Sequence, residues 1–230
     1  MGTQDNINAF WSMVAPGYEA HPGNVVPVES AEYGKWVATV RDALPAPPAD
    51  VLDVATGTGF LARIAASVGH RVVGIDLSEQ MLAEARESGP RAADLELEFR
   101  LGDAVAPDFA PASFDAVTNR HLLWTLREPR TAIASWRALL RPGGRIVAID
   151  GFWFRDSVSE DDAESEPGPF ERYYTPDTRA ALPVMQLDDA AAVAALFEAV
   201  GFAEVRAVDL TTLPNHDAGG EIPYMIIAEV

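Results

Sequence analysis

The chain has 230 residues, of which 48% are hydrophobic and 23% charged, and its 35 Asp+Glu against 17 Lys+Arg leave a formal net charge of -18. That length suits one α/β domain able to bury a full apolar core without cross-links. A surface this acidic repels phosphate backbones and anionic headgroups, so no nucleic-acid or membrane partner is expected. The lack of cysteine excludes a disulfide framework, a thiol nucleophile and a thiolate metal site.

Residues 1–50 read as an N-terminal helical arm. They carry no basic start followed by a long apolar run, so no signal peptide is expected. No stretch of the chain approaches the length of a membrane span, and a cytoplasmic protein is expected. Phe10, Trp11, Met13, Val14 and Tyr18 mark one apolar face, and the spacing of Trp36, Val37, Val40 and Leu44 predicts a helix from Glu29 to Leu44. The prolines from Pro45 to Pro48 stop it.

From Asp50 onward, strands and helices alternate. Strands are predicted at Val51–Ala55, Arg71–Asp76, Leu95–Leu101, Phe114–Asn119 and Arg145–Asp150. Helices are predicted at Gly59–Val68, from the cap Ser78 to Ser88, and at Thr131–Leu140, the last ended by a turn at Arg141-Pro142-Gly143-Gly144. This alternation implies right-handed crossovers and a mainly parallel sheet, with 51–150 as its core. Residues 151–184, rich in aromatics, acids and prolines, read as a lid or insertion. Residues 185–230 add a helix at Asp188–Val200 and strands at Ala203–Leu210 and Ile222–Val230. The whole is expected to be a single domain.

The central signal is the run from Val51 to Phe60, in which a strand enters the small-residue loop Gly57-Thr58-Gly59 and a helix follows. Glycines there let a ligand approach the backbone closely, at the carboxyl edge of the sheet. Gly57-x-Gly59-x-x-Ala62 also fits a dinucleotide loop, and Asp76, 19 residues after Gly57, suits a ribose-binding acid for either ligand. Asp53, four residues before Gly57, favours a cationic ligand and works against a pyrophosphate. Asp103, after the third strand, adds an acceptor suited to an exocyclic amine.

These blocks, with Phe114-Asp115-Ala116-Val117 and Leu139-Leu140-Arg141-Pro142-Gly143-Gly144 in the same order, resemble the class I S-adenosylmethionine-dependent methyltransferases, most of all the branch acting on quinones and natural products. The resemblance implies a Rossmann-like, doubly wound seven-stranded sheet with the last strand antiparallel and helices on both faces. It also implies S-adenosylmethionine as cofactor and S-adenosylhomocysteine as product. Carried over by position, Asp53, Gly57, Thr58 and Gly59 receive the amino-acid end of the cofactor, and Asp76 grips the ribose hydroxyls. Leu77 and Met81 flank the adenine, with core as the alternative for Met81. Asp103 and Ala104 lie by the adenine amine, and Asn119 and Arg120 lie near the methionine part. A tyrosine of the arm often contacts that end in related enzymes, which points to Tyr18. A homodimer stays open.

Methyl transfer from a sulfonium is an in-line displacement, so the protein mainly aligns the acceptor. A metal is not needed, and no ligand cluster suggests one. An acceptor that must lose a proton calls for a base near neutrality, and histidine suits that role. His121, just after the fourth strand, is the first candidate, its alternative being to hold the loop Leu122-Leu123-Trp124; Tyr18 and His21 in the arm come next. His70 reads as a surface residue, and Asp150 as either ligand-facing or a turn cap. Trp11, Trp124, Trp153, Phe154, Tyr173 and Tyr174 are candidate walls for a flat, hydrophobic acceptor of the secondary-metabolite kind, with core packing as their alternative role. The alternatives for the whole chain are a Rossmann-type NAD(P)-dependent oxidoreductase and a non-catalytic, regulatory S-adenosylmethionine-binding protein.

Overall fold

Seven strands form a single sheet in the computed structural model, which describes residues 2–20, 24, 26–88, 95–152, 168–213 and 223–230. They are β1 (Asp50–Val54), β2 (Arg71–Asp76), β3 (Leu97–Leu101), β4 (Phe114–Arg120), β5 (Leu140–Gly151), β6 (Glu204–Asp209) and β7 (Pro223–Glu229). Their order is β3-β2-β1-β4-β5-β7-β6, with β1 to β5 parallel and β7 antiparallel to both β5 and β6. This is the sheet that the sequence predicts.

Side chains alternate across the sheet and feed two cores. On one face Val51, Val72, Ala116 and Val147 pack under α2 (Ala31–Ala43), α3 (Phe60–Ser67) and α4 (Glu79–Glu87), through Trp36, Leu61, Ile64 and Leu82. On the other, Leu52, Val117 and Ile146 pack under α5 (Pro129–Leu139) and α8 (Ala190–Glu198), through Ile133, Trp136 and Phe197. Because helices cover both faces, β1 is buried from Val51 to Val54 without interruption. Ser30, Ser78 and Asp189 cap α2, α4 and α8 by accepting the amides of Tyr33, Met81 and Ala192.

Strand order reverses at β1, since β2 and β3 extend to one side and β4 lies on the other. The loops after β1 and β4 therefore diverge and leave a crevice at their carboxyl ends. Over that crevice lies α1 (Thr3–Val14), packed against α6 (Pro169–Tyr173) and α7 (Pro176–Ala180). A third apolar cluster of Ile7, Trp124, Phe170, Tyr174 and Leu182 joins them. Phe170 and Tyr174 stack at 4.6 Å. The Trp11 indole donates to the Tyr174 hydroxyl at 3.1 Å, and that hydroxyl shares a 2.5 Å hydrogen bond with Thr125.

Several expectations are corrected. Tyr18 is not on the first helix, because Pro16 cannot continue it and Gly17 turns the chain at φ 91°; Tyr18 opens a short 3-10 turn, Tyr18–Ala20. Arg141 to Gly144 are no free turn but lie inside β5, where Leu140 pairs with Phe114 and a register shift between Phe114 and Ala116 absorbs the irregularity. The fifth helix starts earlier, at Pro129, where a missing amide hydrogen costs nothing. His70 is not on the surface; it is 2% exposed, and neither ring nitrogen has a partner. Trp124 and Tyr174 are buried in the arm's cluster and do not wall the crevice. His21, Trp153, Phe154 and His216 lie outside the described residues.

Candidate active site

The crevice encloses about 410 Å³, within the range of small-molecule sites. Its floor is the loop after β1. Asp53, next to the last residue of that strand, is 1% exposed and takes hydrogen bonds from the hydroxyls of Thr56, at 2.7 Å, and Thr118, at 2.6 Å. Burial raises its pKa from 3.8 to about 6, against the pull of those hydroxyls and of Arg120. Gly57 follows at φ 55° with open space where a side chain would begin, so a ligand can reach the backbone. Gly59 plays a different part and does not line the crevice. At φ 85° it caps α3, and a Cβ there would stand 2.6 Å from Phe99 and 2.7 Å from Arg63.

Asp76 ends β2 on the rim. Its carboxylate accepts the Gly57 amide at 2.9 Å and the Ser78 amide at 2.8 Å. Burial raises its pKa, and these amide bonds oppose the rise. Leu77 is 48% exposed beside it, an apolar side chain on the crevice, whereas Met81 is buried yet still touches the crevice. Asp103 accepts the Val105 amide at 2.8 Å and lines the far end with Ala104. The order along the crevice is thus Asp53, Gly57, Asp76, Leu77 and Asp103.

The other end carries different chemistry. Arg120, at the end of β4, lies 4.4 Å from the Phe60 ring centroid and donates to the Asn24 carbonyl. Burial lowers its pKa, and Tyr18, Asp53 and Asp150 support its charge. The Tyr18 phenol is pushed up by burial, so it stays protonated and serves as a donor. His121 follows at φ 58°, a strained conformation for a histidine. It lines the crevice, as do Trp11, Tyr18 and Thr125, with its Nε2 buried.

Of the residues singled out by sequence, Tyr18, Asp53, Gly57, Thr58, Asp76, Leu77, Met81, Asp103, Ala104, Arg120 and His121 come together here. Asn119 does not. Strand alternation sends its amide into the opposite face, 0% exposed and without a hydrogen-bond partner. Asp150 is buried, accepting the Trp124 and Gly151 amides. Sequence reasoning missed Gln4, Ile7 and Asn8, brought to the rim by α1; their helical spacing was the available signal. It also missed Thr56, which reaches Asp53 from three residues along the loop, and Thr118, whose role exists only once β1 and β4 pair.

Comparison with known proteins decides between the two ligands that the glycine loop admits. The methyltransferase domain family matches residues 52–148. A demethylmenaquinone methyltransferase of Renibacterium salmoninarum is 34% identical over 184 residues, covering 79% of this chain and 69% of that protein. The chain belongs to the class I S-adenosylmethionine-dependent methyltransferases. The ubiquinone/menaquinone biosynthesis C-methyltransferase of Roseobacter denitrificans is 37% identical over 122 residues, 50% of this chain and 48% of that one. Several other relatives are likewise matched over about half their length, such as 46% and 54% for two further demethylmenaquinone methyltransferases. The fold agrees with the Haemonchus contortus phosphoethanolamine N-methyltransferase 2 bound to phosphomonomethylethanolamine and S-adenosylhomocysteine (TM-score 0.71, 18% identity, 100% of this chain and 60% of that one). The methyltransferase is therefore an S-adenosylmethionine enzyme, and the dinucleotide and non-catalytic alternatives fall away. Among the described residues no group of side chains could hold a metal, and no helix is long and apolar enough to cross a membrane.

Proposed function

We propose that this methyltransferase alkylates a reduced quinone or related phenol, held at the Tyr18–His121 end of the crevice. The observation that carries the reading is that one crevice is lined both by the acids Asp53, Asp76 and Asp103 and by the Trp11 ring, the Tyr18 phenol and the His121 imidazole. The names of the relatives point to the same acceptor class.

The residues fit the cofactor. Asp76 suits a ribose edge, Leu77 and Met81 an adenine face, and Asp103 its amine. Asp53, through its buried charge, and Arg120 suit the ammonium and carboxylate of the methionine end. When bound, S-adenosylmethionine supplies an activated methyl group whose carbon–sulfur bond breaks as the acceptor attacks. The chain's own work is alignment and proton handling. Trp11 bounds one side of a flat acceptor. His121 takes the acceptor's hydroxyl proton, so that a ring carbon or oxygen becomes nucleophilic. Tyr18, kept as a phenol, donates a hydrogen bond to the developing oxyanion.

The test is turnover on a naphthoquinol or hydroquinone with labelled methyl donor. His121→Ala is expected to leave S-adenosylhomocysteine affinity near the parent value and to lower kcat about 100-fold, within the usual span for a general base. Full activity of that variant across pH would remove His121 from the mechanism.

A further inference from the structure

Arg63 does not reach the crevice, and nothing in the sequence marks it, yet it holds the glycine loop from behind. It sits in the first turn of α3, 8% exposed. One guanidinium nitrogen donates to the Thr58 carbonyl at 2.6 Å, and the other donates to the carbonyls of Ala85 and Ser88. Its charged carbon lies 5.6 Å from the Phe99 ring centroid. Among the described residues it takes part in no ion pair, and its Nε is buried without a partner.

A buried cation without a direct ion-pair partner is costly, and an apolar side chain would fill the same space without desolvating a charge. What offsets that cost is the carboxyl end of α4, where unpaired carbonyls carry partial negative charge, together with the more distant charge of Glu19. Ala85 and Ser88 supply those carbonyls. The planar fork of arginine can meet these two and the Thr58 carbonyl together, which a lysine ammonium cannot reproduce.

The consequence runs through α4. That helix begins at Ser78, whose amide is held by Asp76, and Asp76 also holds the Gly57 amide. The loop is thus fastened twice. In front, Gly57 is tied to Asp76; behind, Thr58 is tied through Arg63 to the far end of the helix that Asp76 starts. The Cβ clash at Gly59 has the same origin, because Arg63 and Phe99 press against the loop there.

We propose that Arg63 is a positioning residue for the cofactor: by clamping the Thr58 carbonyl to the end of α4, it presets the glycine loop and Asp76 as one unit. This rests on the cofactor reading given above. S-adenosylhomocysteine affinity is therefore weakened when Arg63 is removed, although Arg63 does not line the crevice.

The experiment is calorimetric titration of the whole chain with S-adenosylhomocysteine, well below every unfolding midpoint. Arg63→Met is expected to raise Kd about tenfold or more, and Arg63→Lys to fall between it and the parent. Phe197→Leu, in the opposite core, serves as a control that lowers Tm without moving Kd. Hydrogen exchange on the parent needs no variant to fold: S-adenosylhomocysteine is expected to slow exchange at 84–88 together with 57–60. A Kd for Arg63→Met within about twofold of the parent, an equal rise in Phe197→Leu, or unchanged exchange at 84–88 would each overturn the role. Failure of the parent itself to bind S-adenosylhomocysteine is a different result, which removes the cofactor reading and this role with it.

Discussion

Asp53→Asn separates what this carboxylate does for the ligand from what it does to the fold. Its pKa stands at about 6 against 3.8 for an ordinary carboxylate. At 1.36 kcal/mol per unit, burying the charge costs the folded state about 3 kcal/mol. The sign follows from linkage. The folded pKa is the higher one, so the favourable contribution is full below 3.8 and disappears as pH rises through 6. An asparagine has the same shape and can still meet the Thr56 and Thr118 hydroxyls, which rotate to suit it. Asp53→Asn should therefore stabilise the free protein by about 3 kcal/mol at pH 8 and by roughly half that at pH 5. In Tm this is about 6–12 °C for a chain of this size. The same substitution should weaken S-adenosylhomocysteine binding, because the ligand's ammonium loses its nearby charge. Urea unfolding at both pH values, paired with titration, reads both effects. A variant less stable than the parent at pH 8, or a stability difference that does not change with pH, would refute the reasoning.

Asp76→Ala should raise the Kd for S-adenosylhomocysteine about 100-fold, since two charged hydrogen bonds to a ribose edge are worth about 3 kcal/mol together; a change below about tenfold, read by calorimetry, would take Asp76 off the ribose. Burial lowers the pKa of His70, with Asp115 opposing the shift, so the folded state holds it neutral. Its contribution is complete above pH 6.5 and is lost as pH falls below that value. His70→Leu should flatten the acid side of the stability profile, and an unchanged profile in unfolding experiments between about pH 5 and 7 would contradict its burial as the cause.

Much of the fold was legible because it is written in local terms. Strand–helix alternation, the serine cap at Ser78 and the glycine loop each depend on a few neighbouring residues, and handedness rules assemble them into the doubly wound sheet. The acids were legible for the same reason: Asp53 and Asp76 lie at the carboxyl ends of β1 and β2, Asp103 just after β3, and strand ends in such a sheet face the ligand edge.

Other features belong to contacts between distant segments. Strand alternation relative to the helices placed Arg120 in the crevice and hid Asn119 in the opposite core. Burial of His70 followed from how the end of α3 covers the start of β2, and the pKa of Asp53 is raised by the burial that tertiary packing imposes, while Thr118, arriving from 65 positions away, holds the rise in check. Arg63 is the extreme case. In sequence it is a lone cation in a largely apolar helix, and its meaning depends on the carbonyls of α4 lying within reach. Sequence by itself determined which residues would line up along strands and loops, because that pattern is periodic and short-range. Only the tertiary structure decided which polar groups are desolvated and who satisfies them, because desolvation depends on everything that packs around a group.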